Sequence, residues 1–234
     1  MPRLLTVALC AALAVVPSAA YAQENRVVVD QSRMPREAGA VREFVPRGWE
    51  VEGEVSGDLN GDAVPDLAVK LVQAKRGNTE EIVEERHRAL VVLLKGADGR
   101  LRRAAVADRL LQCTACGGAF YGVAEAPADV RIERGGLVIN QDHGSRNVVA
   151  QTFRFRLDPA SNKFVLIGYD VTDNDRATGA LVEESTNFLT GLKIVKRSQY
   201  DRKLDKHVLK SSSRTRVARG GEALEQVDYE KYLP

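Results

Sequence analysis

The strongest constraint on the fold of this chain is the recurrence of short apolar runs rich in Val, Ile and Leu. Gly, Asn or Asp cuts off each run before it could extend into a long helix. WEVEGEV (49–55), DLAVKLV (66–72), RALVVLLKG (88–96), LRRAAVA (101–107) and DVRIER (129–134) are followed by GLVINQ (136–141), AQTFRFRLD (150–158), KFVLIGYD (163–170), ALVEEST (180–186) and LKIVKR (192–197). Segments of this kind read as strands. The expected fold class is therefore mostly β, with antiparallel hairpins in a single compact domain and few short helices. Asp98-Gly99 is a two-residue hairpin signal, and Gly135-Gly136 and residues 159–162 mark two more turns. Residues 152–157 alternate strictly, so Phe153, Phe155 and Leu157 should face the core and Arg154 and Arg156 water. Helix is expected only at 36–44, ending before Pro46, and as a turn at 107–111. No internal repeat recurs at a fixed period.

The first 22 residues have a basic residue (Arg3), an apolar run too short to span a bilayer, and small residues ending in Ala20-Tyr21-Ala22. This predicts a signal peptide at 1–22 and a periplasmic or secreted protein with no transmembrane segment. Leu9, which precedes Cys10, is too large for a lipidation site. The organisation expected after cleavage is a loosely ordered segment at 23–35, a β domain at 36–197, and a C-terminal extension at 198–234 that is basic and then acidic. From Ser211 onward the composition is that of a flexible segment. The whole chain carries 34 Lys+Arg against 32 Asp+Glu, so nothing global favours nucleic acid as a partner. Charge is nevertheless uneven: residues 193–219 hold ten Lys/Arg against Asp201 and Asp205. That strip is either a solvated strand pair or a weak contact for an anionic envelope polymer or lipid surface.

The stretch GDLNGDAVPDLAV (57–69) sets Asp58, Asn60, Asp62 and Asp66 against an apolar run. With Asp58 at position one, side-chain oxygens fall at one, three, five and nine, and Val64 can offer its backbone carbonyl at seven. Alternating oxygens in a tight loop suit a hard cation that takes six to eight oxygen ligands, and Gly61 can adopt positive φ. No Cys or His lies among them, which excludes a zinc or copper preference. The alternative is an acidic turn with no metal.

These residues carry a resemblance. Gly57 to Asp62 followed by Asp66-Leu67 resembles the calcium loop of FG-GAP and VCBS-type repeats, the integrin-like D-x-N-x-D-x-x-x-D-L pattern. Residues 44–49 and 164–169 are similar to exported bacterial proteins of unassigned function that carry one such loop. The resemblance implies a loop joining two β-strands, with Asp58, Asn60, Asp62, Val64 and Asp66 as calcium ligands and a structural role for the ion. The chain departs from the family in two ways. Ala63 stands where Gly is usual, and the motif occurs once, which argues against a full propeller.

Cys113-Thr114-Ala115-Cys116 holds both cysteines beyond the signal, and in an exported chain they are expected to form a disulfide. Thiol-disulfide chemistry is the rival reading of this spacing. Asn140 to Ser145 brings Asp142, His143 and Ser145 together in what reads as a polar hairpin connection, where neighbours cannot form a nucleophile–base–orienter relay. The function expected is an exported, calcium-stabilised β domain acting as a binding or interaction module for an unidentified protein or envelope polymer. The rivals are a periplasmic enzyme built around Asp142 and His143, or a thiol-disulfide protein using Cys113 and Cys116.

Overall fold

The computed structural model describes residues 28–75, 77 and 83–233; the expected signal peptide at 1–22 lies outside the described residues. Strands β1 (Glu37–Ala38), β2 (Trp49–Gly57), β3 (Asp66–Gln73), β4 (Arg88–Lys95) and β5 (Leu101–Ala107) form one antiparallel sheet in the order β1-β5-β4-β3-β2. A second antiparallel sheet holds β6 (Ala128–Glu133), β7 (Gly136–Gly144), β8 (Asn147–Asp158), β9 (Lys163–Asp175), β10 (Ala180–Asn187), β11 (Leu192–Asp201) and β12 (Lys206–Arg216), in the order β12-β11-β10-β9-β8-β7-β6. Except for the connections between β1 and β2 and between β5 and β6, each strand pairs with the next in sequence. The fold is mostly β, and neither sheet closes into a barrel. All ten runs picked out by hydrophobic pattern are strands, and β1 and β12 are additional.

The continuous apolar run in β4 is explained by burial on both faces. Leu90 and Val92 join Phe153, Phe155 and Leu137 in a core shared by the two sheets, while Val91 and Leu93 join Val69 and Leu71 in a second core. Val29, Met34, Ala38 and Phe44 cover that second core. The described part of the segment expected to be loosely ordered is thus anchored by its few apolar side chains.

The helix expected at 36–44 is absent. Glu43 Oε1 accepts the backbone N–H groups of Gly39 and Ala40 at 3.1 and 2.9 Å. These bonds tighten Val41–Phe44 into a single 3-10 turn that seats Phe44 in the core. No helical turn forms at 107–111 either; β5 ends at Ala107, and Leu110 and Leu111 are buried in the shared core.

From Ser211 onward the chain is ordered despite a composition that suits a flexible segment. β12 pairs with β11 along its whole length. The chain then returns to the core, where Ala223 bridges to Val165, Leu224 and Val227 are buried, and the Tyr232 ring packs 5.4 Å from Phe153 and 4.9 Å from Tyr169. A few apolar residues in a polar stretch suffice, because they find a site already walled by aromatic rings. No helix among the described residues is long and apolar enough to cross a membrane.

Candidate metal loop and neighbouring polar centres

The Asx-rich loop joins β2 to β3, whose ends pair at Gly57 and Asp66. Its side chains fold onto its own backbone. Asp58 Oδ1 accepts from the N–H groups of Asn60 and Gly61 at 3.2 and 2.6 Å, and its Oδ2 from that of Ala63 at 3.0 Å. Asn60 Oδ1 accepts from Asp62 N–H, its Nδ2 donates to Asp62 Oδ2, and Asp62 Oδ1 accepts from Val64 N–H. Asp66 is fully buried and closes the loop from beneath: Oδ2 takes the Leu59 N–H at 2.8 Å and Oδ1 the Lys95 N–H at 2.9 Å. One carboxylate thereby ties the loop to the end of β4.

The electrostatics differ from one carboxylate to the next. The Gly61 N–H bond and its neighbours hold the half-buried Asp58 carboxyl below its usual range. Burial pushes Asp66 up against its two hydrogen bonds, and the negative charges of Asp62 and Asp58 push it further. Among the described residues, no Lys or Arg forms an ion pair with Asp58, Asp62 or Asp66. No group of three or more His, Cys, Asp or Glu side chains gathers as a metal cage among those residues. The donor set nevertheless suits calcium in type, since every side chain offers oxygen. A carboxylate has about four lone-pair directions, so accepting one or two N–H bonds does not exhaust it.

The backbone adopts the turn that the sequence had left in question. Gly61 has φ +83° and Ala63 has φ +63°, so alanine occupies a left-handed position where glycine is usual in the resembling loops. Ala63→Gly is expected to stabilise the protein by about 0.5–1 kcal/mol, because relief of the Cβ clash outweighs the extra chain entropy lost on folding. Urea unfolding measures it, and a loss of stability of the same size would mean that the Ala63 methyl makes packing contacts worth more than the strain.

The loop also touches the second sheet. A Cβ built on Gly57 would lie 2.6 Å from Ile132 Cγ2, and one on Gly135 would lie 3.9 Å from the Asp58 carbonyl oxygen. Leu59 packs in the shared core.

The sulfurs of Cys113 and Cys116 stand at bonding distance, 2.10 Å. Thr114, between them, docks this segment on the chain before β4: its N–H donates to the Arg86 carbonyl at 3.1 Å, its Oγ1 accepts the Arg86 N–H at 2.9 Å and donates to the Glu84 carbonyl. The following glycines reach the end of β7, where Gly144 N–H donates to the Gly117 carbonyl at 2.9 Å. The cysteine segment and the Asp142–His143 pair are therefore neighbours.

Asp142 and His143 lie in β7 itself and not in a hairpin connection, because that strand runs to Gly144. Strand alternation sends their side chains to opposite faces. The Asp142 carboxylate accepts the Tyr121 hydroxyl, and burial together with this bond pushes the Tyr121 phenol up to about 12. His143 Nδ1 is buried without a hydrogen-bond partner among the described residues, and burial lowers its pKa against the pull of Asp142. The Asp-to-His hydrogen bond that would orient a general base is not formed, and Ser145 instead hydrogen-bonds through its backbone to Asn147.

One polar centre had no counterpart in the reading of the sequence. Arg88, whose side chain is 2 % exposed, grips Glu52 through Nε (2.8 Å) and Nη2 (2.6 Å), and its Nη1 donates to the carbonyls of Gln112 and Ala126. Arg86, 7 % exposed, binds Glu50 and Glu125 at 2.9 Å each. The available signal was the matched alternation of Glu50 and Glu52 with Arg86 and Arg88, which places complementary charges on β2 and on the chain entering β4, either side of β3.

The basic strip at 193–219 lies mainly on β11 and β12, the edge of the larger sheet; Lys193 is paired with Glu184 there. No family model, no curated protein and no solved structure matches this chain.

Proposed function

We propose that this chain is an exported β domain, stabilised by one calcium ion in the 58–66 loop, that acts as a binding or interaction module. The observation that carries the reading is the buried Asp66 carboxylate, destabilised by Asp62 and Asp58, in a loop to which the described residues supply no cationic side chain. Three carboxylates around one dication leave a single residual negative charge, whereas the same three alone repel one another. The ligands in this reading are Asp58, Asn60, Asp62, the Val64 carbonyl and Asp66. A calcium ion held this way braces the β2–β3 connection, and through Leu59 and Ile132 the junction of the two sheets. Its role is structural.

The test is a thermal melt of the protein in EDTA, in calcium and in magnesium, alongside an Asp58→Ala, Asp62→Ala double variant. Calcium about a hundredfold above its Kd should raise the Tm by about 5–10 °C, magnesium should do much less, and the double variant should not respond. Identical melts of the wild type in all three conditions would reduce the loop to an acidic turn.

A further inference from the structure

The outer face of the larger sheet holds a depression of about 340 Å³ whose wall carries Arg134, Arg154 and Arg156. Its shape follows from the register. Leu137 pairs with Phe155 and Gly136 with Glu133, and a Cβ built on Gly136 would lie 3.1 Å from the Phe155 carbonyl oxygen and 3.4 Å from that of Glu133, so backbone closes the depression on this side. A register shift between Arg154 and Phe155 leaves Ile167 as the extra residue of β9, and Ile167 adds an apolar part to the lining of the depression. The rim is the β6–β7 turn, where Arg134 at φ +52° and Gly135 at φ +71° are the two central residues. Such a turn favours Asn or Gly at both positions, so an arginine stands there against the local preference.

The charges in the depression do not cancel. Its one carboxylate, Glu133, binds Arg131 Nη1 at 2.9 Å, a guanidinium whose Nε also binds Asp129 at 2.9 Å, and Arg154 is held by Asp170 at 2.6 Å. The side chains of Arg134 and Arg156 make no ion pair or hydrogen bond among the described residues. Two guanidinium groups from different elements thus face one small concave space with their donors free, and the surroundings leave it net positive.

We infer that this depression is a binding site for a phosphoryl group, the dianionic phosphate of a monoester ligand. A carboxylate carries one charge and is satisfied by one guanidinium fork. A phosphate monoester carries nearly two charges and offers three terminal oxygens, which two forks from separate directions can share. Arg154, fixed by Asp170, completes the positive wall without needing to reorient. The inference rests on the binding-module reading and names the chemistry that such a module recognises; it requires no metal.

The experiment is calorimetric titration of the full chain with inorganic phosphate, in low salt and EDTA, followed by sedimentation with vesicles containing phosphatidic acid. Saturable binding at millimolar phosphate or below is expected, weakening as salt rises. Arg156→Ala and Arg134→Asn should each weaken it about tenfold. Arg134→Asn suits the turn, so its loss of binding cannot be loss of the fold, and Arg102→Ala, on the smaller sheet, should bind as the wild type does. Phosphate binding without vesicle binding, or with vesicle binding that both pocket variants retain through the basic strip at 193–219, assigns the site to a soluble phosphoryl ligand; vesicle binding that both pocket variants lose assigns it to a lipid headgroup. Absence of saturable binding, or binding that both pocket variants retain, overturns the site. Because calcium is absent throughout, that failure leaves the calcium reading standing, and a failed calcium melt leaves this one standing.

Discussion

Glu52→Ala is expected to destabilise the protein by about 3–5 kcal/mol, one of the two largest effects of any single substitution considered for this chain. The cost lies in what remains behind. Arg88 is always charged and sits 2 % exposed between β4 and the 112–126 segment, with Glu52 as its bidentate partner. Without that carboxylate the guanidinium keeps two carbonyls, Gln112 and Ala126, and a 3.8 Å contact to Glu125, a carboxylate that Arg86 already holds, so a poorly compensated charge stays in a site that water reaches poorly. Lys70, whose Nζ is 3.6 Å from Glu52, loses its partner as well. The Glu52→Ala, Arg88→Met double variant should recover at least about half of the loss, because it removes the stranded charge and leaves only the two carbonyls short of a donor. Urea unfolding of the single and double variants at neutral pH measures the difference. If the double variant is as unstable as the sum of the two singles, the pair is not coupled and Arg88 acts through its carbonyl contacts alone.

The contrast between this pair and the strands shows what a sequence of this kind discloses. Strand positions follow from local pattern: the alternation at 152–157 correctly sends Phe153 and Phe155 inward, and both are fully buried. The tertiary use of charge does not follow from local pattern. Arg88 opens a strand, where a charged residue ordinarily faces solvent, and only the packing of the cysteine segment over it makes the site dry. The same limit hid the C-terminal segment, since Leu224 and Tyr232 are isolated in a polar stretch and their burial depends on a core assembled far earlier in the chain. At the loop, spacing gave the candidate oxygens, but the depth of Asp66 and its reach to Lys95 N–H required the β3–β4 pairing. The Arg134 rim was misplaced by one residue, because Gly135-Gly136 looks like the turn while the structure uses Arg134-Gly135.

Asp66→Ala should cost about 2–5 kcal/mol, since it strips the acceptor from the Leu59 and Lys95 N–H groups in a buried site. Asp66→Asn separates hydrogen bonding from charge: it keeps one acceptor and removes the ionised form. The sign of the pH dependence then distinguishes a bare loop from one holding a cation. Without a cation, the folded-state pKa of Asp66 is raised by burial and by its acidic neighbours. The ionised form is penalised in the fold at neutral pH, so the stability of wild type relative to Asp66→Asn should rise as pH falls through that raised pKa. The gain is complete below the ordinary carboxylate value, where folded and unfolded chains are both protonated. With calcium bound, the ion favours the ionised form and reverses the direction of the shift. The difference between wild type and Asp66→Asn should then be largest at neutral pH and fall as acid protonates the ligand and releases calcium. Unfolding free energies for the two proteins, measured across the acid range in EDTA and in calcium, should give two curves of opposite slope. Two curves rising together toward low pH would mean that no cation reaches Asp66, and the repulsion among Asp58, Asp62 and Asp66 would then be a cost borne by the fold alone.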